Sequence, residues 1–357
     1  MKKKHTSKDI ANILGISRGT VDRALNNRGR INPETKKKVL KVADELGYKP
    51  NSLARTLVLQ RNIRIASILP AVPEYFFSKI EDGIKDAERA LKDFGVNVSY
   101  YNIKTLNDAV TQIELIEQLK EKNYDGILII PADAKLITPH IQSFAKEDVP
   151  VVTINNDVPE GKRLCFVGEN STRAGRVAAE LMAKFTGFKG KVAIMTGFTK
   201  ASSIYDRAEG FISFMKQHKD INVLGPFEYF EDVKEAYEIA KRLSIDHDDL
   251  SGIFLTTTTG LESAAKAIVD AGKKTDVKII GFDTSPQIKD MIRNDVIFAT
   301  IYQDQQAQGY YGLRILANYI MNGKMPENEF MYTRLGIILK ENLHDGDYPL
   351  YKLNNKL

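Results

Sequence analysis

What is scarce in this sequence excludes several classes of protein. It has one cysteine, Cys165, so no intramolecular disulfide forms and a reducing compartment fits. Within Arg163-Leu164-Cys165-Phe166-Val167 that residue reads as an ordinary strand position, not a reactive thiol. No stretch reaches 18 uncharged apolar residues, so no membrane-spanning helix and no membrane partner are expected. The basic start Met1-Lys2-Lys3-Lys4 runs into the polar His5-Thr6-Ser7-Lys8-Asp9, where a secretory signal needs an apolar core; a cytoplasmic location is expected. Proline (12) and glycine (24) are too few, and hydrophobic residues (43%) too many, for a disordered or fibrous chain.

Marks of catalysis are scarce as well. There is no Gly-x-Gly-x-x-Gly after the first strand pattern and no phosphate loop ending in Gly-Lys-Ser/Thr. The five histidines lack metal spacing, and Ser202 and Ser203 lack the surroundings of a nucleophile. The expectation is therefore no catalytic residue, no metal, no cofactor and no enzyme.

What is present is an uneven distribution of charge. The 357 residues carry 51 basic and 46 acidic side chains, a net +5. Residues 1–62 hold 15 basic against 5 acidic, a local +10, and the remainder is −5. A small basic head joined to a larger acidic body is the asymmetry of a nucleic-acid-binding module fused to something else.

Three short helices can be read in the head. Thr6 caps the first, with Asp9 reaching back and Ile10, Ala11 and Leu14 facing inward, and Gly15 ends it. Ser17 caps the second, where Val21, Ala24 and Leu25 repeat at helical spacing. Asn32 and Pro33 start the third, which buries Val39, Val42, Ala43 and Leu46 and ends at Gly47 and Pro50. The tight turn between the first two makes a helix-turn-helix. Arg18, Gly19, Asp22, Arg23 and Asn26 then lie on the outward side of its second helix, the position from which Arg reads guanine in a major groove.

Thr6-Ser7-Lys8-Asp9-Ile10-Ala11, Gly15-Ile16-Ser17, Thr20-Val21-Asp22-Arg23-Ala24-Leu25-Asn26, Leu46-Gly47-Tyr48-Lys49-Pro50-Asn51 and Ala54-Arg55-Thr56-Leu57 form one continuous signature. It resembles the DNA-binding head of the lactose/galactose repressor family of bacterial transcription regulators. The resemblance implies DNA contacts from Thr6, Ser17, Arg18, Gly19, Thr20, Asp22, Arg23, Asn26, Arg30, Asn51, Ala54, Arg55 and Leu57. It also implies a hinge helix from Asn51 to Val58, with Leu57 wedged into the minor groove. Asp22 stands where relatives usually carry Ser, and Gly19 removes a side chain from the reading surface.

From Ile63 onward, apolar strand patterns (63–69, 96–101, 126–130, 150–154, 191–195, 252–255, 277–282) alternate with helical ones (76–94, 109–122, 172–185, 210–218, 261–271). Two such runs imply two lobes of parallel sheet, each covered on both faces. Ligands bind beyond the carboxyl ends of such strands, which is where the polar residues cluster. Those ends hold Pro73-Glu74-Tyr75-Phe76-Phe77, Asn155-Asn156-Asp157, Thr256-Thr257-Thr258-Thr259, Asp283 and Gln303-Asp304; with Arg207 they suit a polyol. Each has a structural alternative: Asp157 and Asp304 as cap or turn residues, Arg207 as an ion-pair partner, Phe76 and Phe77 as core.

This half resembles the sugar-binding body of the same repressors and of periplasmic ribose-type binding proteins. By that resemblance Phe76, Phe77, Asp157, Arg207, Asp283 and Gln303 match ligand contacts, and Glu74, Asn155, Thr257 and Thr258 complete the candidate set. Thr257-Thr258 stands where many relatives carry Asn-Asp, and Glu74 where ribose-type proteins carry an amide.

The expected protein is an all-α helix-turn-helix head plus an α/β two-lobed body of two parallel doubly wound sheets. The head spans 1–50, the hinge helix and linker 51–62, the body 63–345 and a tail 346–357. The first lobe takes about 63–160 and 300–325, the second about 165–298 and 330–345. Its expected function is sequence-specific repression of transcription by a nucleoid-associated homodimer. The partners are double-stranded operator DNA with an inverted repeat and a small carbohydrate or sugar-acid effector. The alternatives are a non-transcriptional sugar-binding receptor and a carbohydrate-processing enzyme.

Overall fold

A computed structural model describes residues 6–25, 31–46 and 62–343. The hinge helix, Asn26, Arg28, Arg30, Asn51, Ala54, Arg55, Leu57 and the tail lie outside the described residues, as do the side chains of Asp22 and Arg23. The chain forms two compact units, one of Met1–Asn62 with Lys92–Gly95 and one of Ile63–Leu91 with Val96–Leu357.

In the first unit, α1 spans Ser7–Leu14, α2 Arg18–Leu25 and α3 Pro33–Glu45. Thr6 and Asp9 form a reciprocal cap: the Thr6 amide donates to Asp9 Oδ2 at 2.7 Å, and the Asp9 amide donates to Thr6 Oγ1 at 3.4 Å. Gly15 stops α1 at φ 64°, a left-handed conformation that glycine adopts without steric cost. Ser17 Oγ accepts from the Thr20 amide at 3.1 Å, and Asn32 Oδ1 from the Glu34 amide at 2.9 Å. These caps hold the helices so that Ile10, Ala11, Val21, Ala24, Val39 and Ala43 meet in one buried cluster. Helices this short are not stable alone, so this shared core keeps them folded.

The second unit holds two sheets. The first has β1 (Ile63–Val72), β2 (Val96–Thr105), β3 (Gly126–Ile129), β4 (Val151–Ile154), β5 (Cys165–Gly168) and β11 (Phe330–Tyr332), in the order β11-β5-β4-β3-β1-β2. The other has β6 (Gly190–Thr196), β7 (Ile221–Glu228), β8 (Leu250–Leu255), β9 (Lys278–Phe282), β10 (Ala299–Tyr302) and β12 (Gly336–Ile338), in the order β12-β10-β9-β8-β6-β7. All pairings are parallel except β10 with β12, which is antiparallel. Alternation along β6 covers both faces: Ala193 and Met195 enter one core cluster, Val192 and Ile194 the other. Each sheet reverses its order about its first strand, β1 or β6, which puts a ligand crevice at that end of each lobe.

Three chain crossings join the lobes, and they correct the expected boundaries. Cys165–Gly168 pairs with β4 and belongs to the first lobe, so the first crossing follows β5 instead of preceding it. Ala299–Tyr302 pairs with β9 and belongs to the second lobe, and Phe330–Tyr332 pairs with β5 and belongs to the first. Four-residue and three-residue strands carry too little pattern to reveal which sheet they join; their hydrogen-bond partners are distant in sequence. Helices 134–146, 233–246, 286–293 and 305–322 and strand β7 also lay beyond the sequence reading.

Candidate functional site

The head presents α2 outward. Ser17, Arg18 and Gly19 are exposed on its first turn, Thr20 is half-buried, and the Thr20 hydroxyl lies 2.9 Å from that of Ser17. Thr6 is exposed, with its hydroxyl donating to Asp9 at 2.8 Å. A side chain added at Gly19 would meet only Ser17 Oγ, at 3.7 Å.

In the body, the carboxyl ends of the strands enclose a cavity of about 850 Å³, lined from both lobes. Eight of the ten expected ligand residues line it: Phe76, Phe77, Asn155, Arg207, Thr257, Thr258, Asp283 and Gln303. Helix 74–91 follows β1 at once and brings in Phe76 and Phe77, which are buried edge to face with ring centres 4.9 Å apart. Both alternatives weighed for them coexist, since the rings are core and wall together.

A chain of amides runs between the lobes. Asn155, at φ 64° after β4, donates to Gln303 Oε1 at 3.0 Å, and Gln303 Nε2 donates to Asp283 Oδ2 at 2.7 Å. Gln305 Nε2 donates to the other Asp283 oxygen. Burial pushes the Asp283 carboxyl up to about 6, against the pull of Arg207 and the Gln303 hydrogen bond. Arg207, on helix 202–215, is buried against Glu169, and its Nη1 donates to the Thr256 carbonyl at 2.8 Å. Its guanidinium carbon stands 3.9 Å from the centre of the Phe282 ring. The ion-pair alternative thus holds for Arg207 alongside its place in the cavity wall.

Helix 202–215 begins at Ala201, which cannot cap it. The cap comes from the opposite lobe: Asn156 Oδ1 accepts from the Ser203 hydroxyl at 2.6 Å and the Ser203 amide at 3.3 Å. Next to it the Asp157 amide donates to Ser202 Oγ at 2.9 Å.

Two expected residues are not brought into the cavity. Glu74 is exposed on the first turn of its helix. The Asp157 carboxylate is taken by Arg163, whose Nη2 donates at 2.6 Å, and by the Thr153 hydroxyl at 2.7 Å. Asp304 caps helix 305–322, as its alternative reading had it. The Cys165 thiol is buried and pushed up to about 12, which removes its reactivity.

Sequence reasoning passed over Tyr75 and the segment Phe230-Glu231. Tyr75 stood inside a motif already singled out. Glu231 follows β7, whose pattern was not recognised; the signal was Asp232, a helix cap before the spaced Val233, Ala236 and Ala240. Phe230 and Glu231 both have positive φ, 50° and 61°, an uncommon conformation outside glycine that is concentrated at functional loops. Tyr229 holds the facing loop, its hydroxyl 2.6 Å from Thr257 Oγ1 and from the Thr259 carbonyl. Among the described residues no group of three or more His, Cys, Asp or Glu is placed to hold a metal. No described helix is long and apolar enough to cross a membrane.

Comparison with known proteins agrees with both units. Residues 65–325 match the periplasmic binding protein domain, and residues 6–51 match the bacterial regulatory proteins of the lacI family. The chain is 26% identical over 284 residues to the ribose operon repressor of Halalkalibacterium halodurans, covering 79% of this chain and 81% of that one. It is 26% identical over 288 residues to the probable HTH-type transcriptional repressor ExuR of Bacillus subtilis, covering 78% and 81%. A solved glucose-galactose binding protein from Geobacillus stearothermophilus aligns with a TM-score of 0.74 at 25% identity, over 79% of this chain and 99% of its own. The chain therefore belongs to the periplasmic binding protein family through its domain at residues 65–325, and carries ahead of it a head, residues 6–51, that matches the bacterial regulatory proteins of the lacI family.

Proposed function

We propose that this protein is a transcriptional repressor whose grip on an inverted-repeat operator is switched by a small carbohydrate-type ligand held between its two lobes. The observation that carries this is the presence, on one chain, of an outward-facing reading helix and an interlobe cavity walled by aromatic, amide and carboxylate groups. Two heads on a homodimer would match the two half-sites, and the protein would work in the cytoplasm without turning over its ligand. A ligand touching both lobes favours the closed body, and linkage requires ligand and operator to alter each other's affinity by the same factor. The ribose-named and other sugar-named relatives support a sugar as the ligand. A receptor outside transcription or a carbohydrate-processing enzyme has no use for the head.

Arg18→Ala tests the reading face. It is expected to weaken operator binding by about 1–3 kcal/mol, with a smaller loss on unrelated duplex DNA. Equal losses on both in a mobility-shift titration would remove Arg18 from base reading. Asp283→Ala is expected to abolish the response to ligand while DNA binding persists. A retained response would take Asp283 out of the pocket.

A further inference from the structure

The charges around the cavity point to the chemical class of its ligand, on the basis of the function proposed above. Arg207 is the one cationic side chain lining the cavity among the described residues, and it is already paired with Glu169; the two side chains are 5% and 0% exposed. Its charge is paired with Glu169 and also acts on Asp283 and Glu231 beside it. Asp232 and Glu262 lie on the rim, exposed, Asp232 capping helix 233–246 and Glu262 on the first turn of helix 261–270.

Asp283 and Glu231 remain. Glu231 lines the cavity, yet its Oε1 is buried with no hydrogen-bond partner. Burial raises its carboxyl, and hydrogen bonds from the Thr259 and Thr257 side chains and the Phe198 backbone, with the charge of Arg207, offset only part of the rise. A buried carboxylate oxygen without a partner is costly, and the left-handed backbone that places it there adds to that cost. Such a cost persists where a ligand relieves it. The neighbouring wall is aromatic: Phe230 precedes Glu231, and the Tyr75 phenol is pushed up by burial and then by the charges of Asp283 and Glu231. Carboxylates flanked by aromatic rings form a site for an ammonium group. An acidic sugar would meet two like charges there, and the one cation in the cavity wall, Arg207, is already paired with Glu169.

We propose that the effector is a polyol bearing an ammonium group, with Glu231 as the residue that selects it and sugar acids excluded by charge. The test is a set of thermal-shift and calorimetric titrations of the full chain at pH 7.5 with matched probes. These are D-glucose, D-glucosamine and D-glucuronate, then D-galactose, D-galactosamine and D-galacturonate. Within a responding set the amine is expected to bind about tenfold to hundredfold more tightly than the neutral sugar, the worth of one charge-assisted hydrogen bond. The acid is expected to be the weakest member, and Glu231→Gln to remove the preference for the amine. Equal binding of neutral and amine, or tightest binding by the acid, overturns the proposal and leaves a sugar effector standing. A flat response to every probe removes both. The comparison among probes uses the unaltered protein, so it decides the matter even where Glu231→Gln fails to fold.

Discussion

Gly19 and Asp283 are the residues whose cost to stability is easiest to trace. Gly19 sits in the first turn of α2 with ordinary φ, and a methyl group there meets nothing closer than 3.7 Å. Gly19→Ala should stabilise the head by about 0.5–1 kcal/mol, chiefly by restricting the unfolded chain, as read from its melting temperature. A loss of stability would mean that the position is strained. Asp283 behaves differently, because its folded carboxyl lies near 6 against 3.8 for the free side chain. The folded state then holds the proton more tightly, so its contribution is fully present below about pH 4 and is lost as pH rises through 6. Asp283→Asn abolishes that loss. Its stability relative to the parent should rise by up to about 3 kcal/mol between pH 4 and 7.5, and denaturant titrations at both pH values measure it. An unchanged difference would show that the carboxyl is not shifted.

At the scale of elements, each lobe joins two helices through reciprocal glycines. A Cβ on Gly175 would lie 2.0 Å from the Arg207 carbonyl, and one on Gly210 2.1 Å from the Thr172 carbonyl. In the first lobe Gly83 faces the Gln306 carbonyl at 2.0 Å and Gly309 the Ile80 carbonyl at 2.0 Å. The neighbours are backbone, which cannot swing aside, so the helices must separate. Gly175→Ala should cost about 1–3 kcal/mol and also weaken ligand binding, because the clash falls on the residue carrying the Arg207 guanidinium. Gly83→Ala should cost a similar amount. Normal stability of Gly175→Ala in denaturant titrations would contradict the close approach.

For the whole molecule, the decisive fact is that charge is segregated. Under the proposed function, operator binding rests on a head of local charge +10, whereas the ligand would bind in a body of −5 behind a largely buried wall. Raising salt from 50 to 200 mM should weaken operator binding by roughly a thousandfold or more, if six or more phosphates are neutralised. Ligand affinity should change by less than about threefold, because buried pairs are little screened. Parallel losses in both titrations would contradict the separation of tasks.

The three head helices were legible from the sequence because caps and apolar spacing are local: Thr6 with Asp9, Ser17, and Asn32 with Pro33 each act within four residues. The parallel two-lobed body was legible for a similar reason, since alternating apolar strands and helices record which faces are covered. Even the strand-end location of Asp283 and Gln303 followed from chain order. Tertiary structure alone decided what those residues touch. Cys165–Gly168 joins the first sheet, Asp157 turns to Arg163 and leaves the cavity, and Asn156 caps a helix of the other lobe. It alone also set Glu231, with one carboxylate oxygen unpartnered, beside the cleft, some 50 residues from Asp283. Such pairings join residues far apart along the chain, and burial, which sets their charge and their cost, arises only once both lobes have folded.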